Sequence, residues 1–166
     1  MPSPENSDQT SPGKLSHYDA QGAARMVDIS PKLPTRRQAV AAAFVALSPA
    51  VLAALPGNPK GNPLEVARFA GIQAGKRTSE LIPMCHPLPL SFLDVSADIV
   101  PGGIAIRATA ATTGPTGVEM EALTAASVAA LTVYDMCKAL DKGIVIREVM
   151  LLEKTGGQSG EYQRPT

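Results

Sequence analysis

The chain has 166 residues, 45% of them hydrophobic, enough for the core of one ordinary domain and too few for two comfortable ones. Lysine plus arginine and aspartate plus glutamate balance at a formal net charge of zero, so nothing global points to nucleic acid or an anionic membrane, and any anion site must be local. No charged-then-apolar leader opens the chain, no apolar run is long enough to span a membrane, and Trp is absent, so we expect a soluble protein without stacking platforms for single strands.

Residues 1–16 are polar, with almost nothing to bury, and are predicted to be a disordered tail; residues 17–166 read as one domain. His17 to Ser30 is less polar. Within it, Met26-Val27-Asp28-Ile29 reads as a short extended arm in which Asp28 is either a ligand residue or a turn former. Thr35 to Leu47 reads as a strand after Pro34, apolar on both alternating faces in its second half. That pattern suggests cover on both sides and hence a subunit interface, with helix the competing reading because Ala is so frequent. Ser48-Pro49 starts a short helix that ends by Pro56-Gly57.

A turn-rich loop carrying Lys60 follows, and Asn62, Pro63 and Glu65 then give a strong helix start. Lys60 thus stands just outside a helix N-terminus, where anions are favoured, although a loop lysine can equally be only solvated. The helix runs from Pro63 to about Leu81, with Gly71 and Gly75 spaced for close packing and Lys76-Arg77 near its end. Those two cations fit a phosphate or the helix dipole alike. Ile82 to Pro89 holds three prolines in eight residues, which stiffens the loop around His86 and positions its imidazole for proton transfer or for a structural contact.

Leu90 to Val100 alternates cleanly, Pro101-Gly102-Gly103 turns the chain, and Ile104 to Ala110 continues the alternation, which predicts a hairpin. A long helix begins near Val118 and reaches Leu140, slim along Ala122, Ala125, Ala126, Ala129 and Ala130 yet punctuated by Glu119, Glu121, Asp135 and Lys138. Asp135 and Lys138 are spaced to pair on one face. Glu121 lies four turns earlier, about 21 Å along the axis, too far for one small ligand to touch both ends in one chain. Either the two ends serve separate purposes, or two subunits bring opposite ends together, or Asp135 and Lys138 are merely the solvated last turn. Ile144 to Glu153 is the last strand, before a glycine-rich Lys154 to Gly160.

In order, these elements give the β-α-β-β-α-β pattern of an α+β, ferredoxin-like antiparallel sheet with helices on one face. Cys85 and Cys137 are far apart without C-x-x-C spacing, so no metal site is expected and the thiols read as reduced and cytoplasmic. Neither a Walker loop nor a dinucleotide fingerprint is present.

Four strings go further: Ala70 to Thr78, Pro83 to Leu88, Thr116 to Leu131 and Tyr134 to Lys138. Together they closely resemble the cyclic pyranopterin monophosphate synthase family, the C proteins of molybdenum cofactor biosynthesis, over about Met26 to Gly160. The resemblance implies a lyase converting (8S)-3′,8-cyclo-7,8-dihydroguanosine 5′-triphosphate to cyclic pyranopterin monophosphate with release of pyrophosphate. By motif it makes Lys60, Asp135 and Lys138 catalytic. Met84, Cys85, His86, Glu119, Met120 and Glu121 then bind the ring, while Arg37, Lys76 and Lys154 are candidates for the triphosphate. It also implies a hexamer, a trimer of dimers, with active sites between subunits. No cofactor is required by anything in the sequence, and Mg²⁺ accompanying the triphosphate is left open. Gln158 stands where a basic residue is expected in the C-terminal glycine-rich loop, which weakens that loop as a phosphate clamp. The alternatives are a ferredoxin-like module that binds a nucleotide or pterin without turnover, and a purely structural oligomer.

Overall fold

The computed structural model describes residues 21–165; the tail over residues 1–16 and His17 lie outside them. Strand β1 (Thr35–Ala46) is followed by helices α1 (Pro49–Ala54), α2 (Pro63–Lys76) and α3 (Thr78–Leu81), the hairpin β2 (Leu90–Val100) and β3 (Gly103–Gly114), helix α4 (Glu119–Cys137), and strands β4 (Val145–Thr155) and β5 (Tyr162–Gln163). The sheet order is β2-β3-β1-β4-β5 and every pairing is antiparallel. With α2 and α4 packed on one side, this is the ferredoxin-like α+β arrangement.

Side-chain size explains the closeness of the layers. The five alanines of α4 are fully buried, Ala125 and Ala129 beside the glycines of α2, and Ala39, Ala41 and Ala43 of β1 with Ile104 and Ile106 of β3 complete the core. Each fully buried Ile contributes about 1.5–3 kcal/mol. Helix α2 crosses α4 at its glycines: a Cβ on Gly71 would stand 2.8 Å from the Ala125 carbonyl oxygen, and one on Gly75 3.1 Å from the Glu121 carbonyl oxygen. This contact sets how far the loop before α2 stands from the far end of α4.

Three features differ from the sequence reading. The helix from Pro63 breaks at Arg77, whose backbone leaves the helical region while Thr78 Oγ1 donates to the Gly75 carbonyl at 2.9 Å. Strand β4 is bulged twice against β1, with Glu148 in the left-handed region at φ 58°. Finally, Ile144 to Glu153 is not the last strand: the short β5 pairs antiparallel with β4 at Glu153 and Lys154. On the face of β1 away from the helices the Arg107–Glu153 ion pair, 3.1 Å, joins β3 to β4 above Val40.

Candidate active site

The two ends of α4 carry two separate groups of side chains. At the C-terminal end, Asp135 Oδ1 meets Lys138 Nζ at 2.6 Å and Asp135 Oδ2 meets Lys60 Nζ at 3.5 Å. Lys60 Nζ also donates to the Asp135 carbonyl at 3.0 Å. Asn58 builds this arrangement: its Oδ1 accepts from the Lys60 amide and its Nδ2 donates to the Met136 carbonyl, each at 2.9 Å. The turn is thereby tied to the last turn of α4, and the i,i+3 pairing expected from the sequence is present.

Two ammonium groups around one carboxylate have a definite electrostatic result. The hydrogen bond and charge of Lys138, then Lys60, hold the Asp135 carboxyl below the usual range, and Asp135 in turn raises Lys138. The side chains of Lys60, Asp135 and Lys138 are 45%, 57% and 49% exposed in the single protomer, so the cluster is open and net cationic.

At the N-terminal end, Met120 and Glu121 face the proline-stiffened loop. Thr112 Oγ1 donates to the Pro89 carbonyl at 2.7 Å and anchors that loop to β3. Met84, Cys85, His86, Glu119, Met120 and Glu121 line a cavity of about 340 Å³. Glu121 is only 4% exposed, and burial, reinforced by the nearby Glu119 charge and partly offset by a bond to its own backbone amide, raises its carboxyl. Burial and the Glu121 charge raise the Cys85 thiol as well, so Cys85 is a neutral wall of the cavity.

A second cavity of about 740 Å³ adjoins the first and is lined by Arg37, Lys154, Gln158 and Ser159. Arg37 is held by its bonds to the Gly114 and Pro115 carbonyls, 2.9 and 3.2 Å. Lys154 Nζ contacts the Ser159 hydroxyl and lies 3.8 Å from Glu119. Gly156 and Gly157, both at positive φ, let the returning chain pass over Arg36 and Arg37, where any side chain would collide. Gln158 therefore lies on a built wall despite lacking charge.

Arg37, Lys154 and the predicted ring-binding residues are thus brought together, while Lys60, Asp135 and Lys138 form their own group about 21 Å away on the helix axis. Lys76 is exposed in the last turn of α2 and lines neither cavity. Asp28 makes the contact of a turn former, its Oδ1 accepting from the Ser30 amide at 2.9 Å. Sequence reasoning missed Asn58, Lys32, Thr116 and Ser159; only the Asn-Pro-Lys turn around Lys60 carried a signal for the first. Among the described residues no group of three or more His, Cys, Asp or Glu is placed to hold a metal ion, and no helix is long and apolar enough to cross a membrane.

A family model described as the MoaC family matches residues 26–157. The chain belongs to the MoaC family. A relative from Nostoc sp. (strain PCC 7120 / SAG 25.82 / UTEX 2576), cyclic pyranopterin monophosphate synthase, is 54% identical over 170 aligned positions, spanning 99% of this chain and 97% of its own length. The MoaC match includes Arg37, Lys60, Glu121, Asp135, Lys138 and Lys154 and ends just before Gln158 and Ser159.

Proposed function

We propose that this chain is a lyase of molybdenum cofactor biosynthesis that converts (8S)-3′,8-cyclo-7,8-dihydroguanosine 5′-triphosphate to cyclic pyranopterin monophosphate and pyrophosphate. The observation that carries this reading is the 54% identity, over nearly the whole of both chains, to a relative of that activity. The chemistry of the cavities supports it. The smaller one offers a buried carboxyl, an imidazole and two thioethers to a purine-like ring; the larger offers Arg37 and Lys154 to phosphates.

Ring opening and reclosure need proton donors and acceptors, and expulsion of pyrophosphate needs cations where charge accumulates. We assign Lys138 and Lys60 as the cation or general acid. Asp135, held below the usual carboxylate range, serves first to hold Lys138 and becomes a base when substrate displaces one of its lysines. Mg²⁺, where the triphosphate brings it, belongs to the substrate.

Because the catalytic trio stands a helix length from the ring cavity, we assign them to one site only across a subunit boundary. The functional unit we propose is a cytoplasmic hexamer, a trimer of dimers, in which one protomer's trio closes the ring cavity of another. Uncovered apolar side chains on the helical layer, such as Phe69 at 71% and Leu131 at 57% exposure, favour assembly.

The test is direct. Purified protein given the cyclic nucleotide should release pyrophosphate, and Lys138→Ala should abolish release while leaving the oligomer folded. Saturable binding without product would replace this reading with that of a non-catalytic binding module.

A further inference from the structure

Asn58 is half-buried in the turn before α2, between Gly57 and Pro59, and commits its backbone and its side chain alike to fixing that turn. Its amide donates to the Leu55 carbonyl at 3.2 Å and its carbonyl accepts from the Gly61 amide at 3.0 Å, with Gly61 at φ 99° letting the loop close. The side chain reaches in two directions. Oδ1 accepts from the Lys60 amide, and Nδ2 donates across the fold to the Met136 carbonyl, next to Asp135, each at 2.9 Å.

We propose that Asn58 is a positioning residue for the reaction: its carboxamide is the bracket that sets where Lys60 stands relative to Asp135 and Lys138, and thereby where the Lys60 ammonium meets the substrate. This rests on the function proposed above. The carbonyls of Asp135 and Met136 belong to the last turn of α4, where intrahelical donors run out, and they are taken by Lys60 Nζ at 3.0 Å and by Asn58 Nδ2. The contacts of the Lys60 side chain are exposed and its stem is flexible, so they hold the ammonium only when the backbone beneath is already in place. Apolar packing does not supply that placement. A cavity of about 160 Å³ lies among Pro59, Lys60, Met136 and Leu140, which leaves the turn room to shift once the tie is cut. The bracket needs an acceptor toward the Lys60 amide and a donor toward the Met136 carbonyl, a requirement that Asn meets on one rigid plane and Asp does not.

Steady-state pyrophosphate release by the full chain, with thermal melts and sedimentation velocity on the same samples, tests this. Asn58→Ala should lower kcat about tenfold to a hundredfold, as for a catalytic group misplaced by up to about 1 Å. KM should stay within about threefold, because the groups that bind the ring and the phosphates stand at the other end of α4. Asn58→Asp keeps the acceptor for the Lys60 amide and loses the donor to Met136, so its kcat should fall with that of Asn58→Ala; it decides the question alone if Asn58→Ala fails to fold. Asn62→Ala controls for mere loosening of the segment. It removes the cap of α2 made to the Leu64 and Glu65 amides, so it should lower Tm yet keep kcat within about threefold. A wild-type kcat in Asn58→Asp, a rise in KM as large as the loss in kcat, or a kcat as low in Asn62→Ala as in Asn58→Ala overturns the proposal. Wild-type protein that releases no pyrophosphate from the cyclic nucleotide sinks the underlying function and the proposal with it. Turnover by wild type with unaltered kcat in the Asn58 variants sinks the proposal alone.

Discussion

Replacing Gly71 by Ala tests the packing that spaces α2 from α4. The new Cβ would lie 2.8 Å from the Ala125 carbonyl oxygen, 3.1 Å from Val95 Cγ2 and 3.2 Å from the Ala129 Cβ. The first of these is backbone and the third a methyl fixed to backbone, so the helices themselves must separate. Overpacking of this kind costs about 1–3 kcal/mol, and the gain from replacing glycine inside a helix returns about 1 kcal/mol. The contact with rigid backbone places the net cost in the upper part of the difference, about 1–2 kcal/mol, or a fall in Tm of about 2–8 °C for a chain of this length. Gly75→Ala is the internal control. Its closest contact, 2.7 Å, is Leu93 Cδ2, the far end of a side chain that can rotate away, and its backbone contact, the Glu121 carbonyl oxygen at 3.1 Å, is looser than the one at Gly71, so the net cost should be smaller than for Gly71→Ala. Thermal unfolding followed by circular dichroism, at one protomer concentration for all variants, measures both. A Gly71→Ala protein as stable as wild type, or a Gly75→Ala protein less stable than Gly71→Ala, would refute the argument.

Three further outcomes follow from the site. Asp135→Asn should cut kcat about a hundredfold or more with a much smaller change in KM, since Lys138 loses the group that positions it; steady-state pyrophosphate release reads this. Glu121→Gln should raise the melting temperature at neutral pH, because burial raises the carboxyl and its ionised form is destabilising there. The gain should fade as pH falls through the raised folded value and be gone below the ordinary glutamate value of 4.5, where the folded and unfolded wild type are both largely protonated, and melts across that range check the sign. Phe69→Glu should convert the proposed hexamer to smaller species in sedimentation velocity, since Phe69 is largely uncovered in one protomer.

Much of this molecule was legible because local rules agree with the fold. Asn62 caps α2 by accepting from the Leu64 and Glu65 amides, as Asn-Pro at a helix start implies. The clean alternation of β2 and β3 matches their pairing, and the slim alanine flank of α4 is its buried face. What escaped depends on contacts between distant segments. The tie from Asn58 to Met136 spans 78 residues, and nothing near Asn58 announces it. Lys32 gains its position from a cavity built by the arm, the turn before α4 and the tail after β4. The bulges of β4 carry no glycine or proline to mark them, and Glu148 adopts its left-handed backbone without one. Lys76 is ambiguous in the other direction: its charge suits a phosphate as well as a helix terminus, and in the single protomer it lines neither cavity.

Subunit mixing tests most directly whether each reacting cleft is shared between protomers. Lys138→Ala, which keeps the ring cavity, and His86→Ala, which keeps the catalytic trio, should each be inactive alone. Dissociated together and reassembled at equal concentrations, they should regain pyrophosphate release, with about a quarter of sites drawing an intact half from each partner. Mixed assemblies that form yet remain as inactive as either parent would contradict the account.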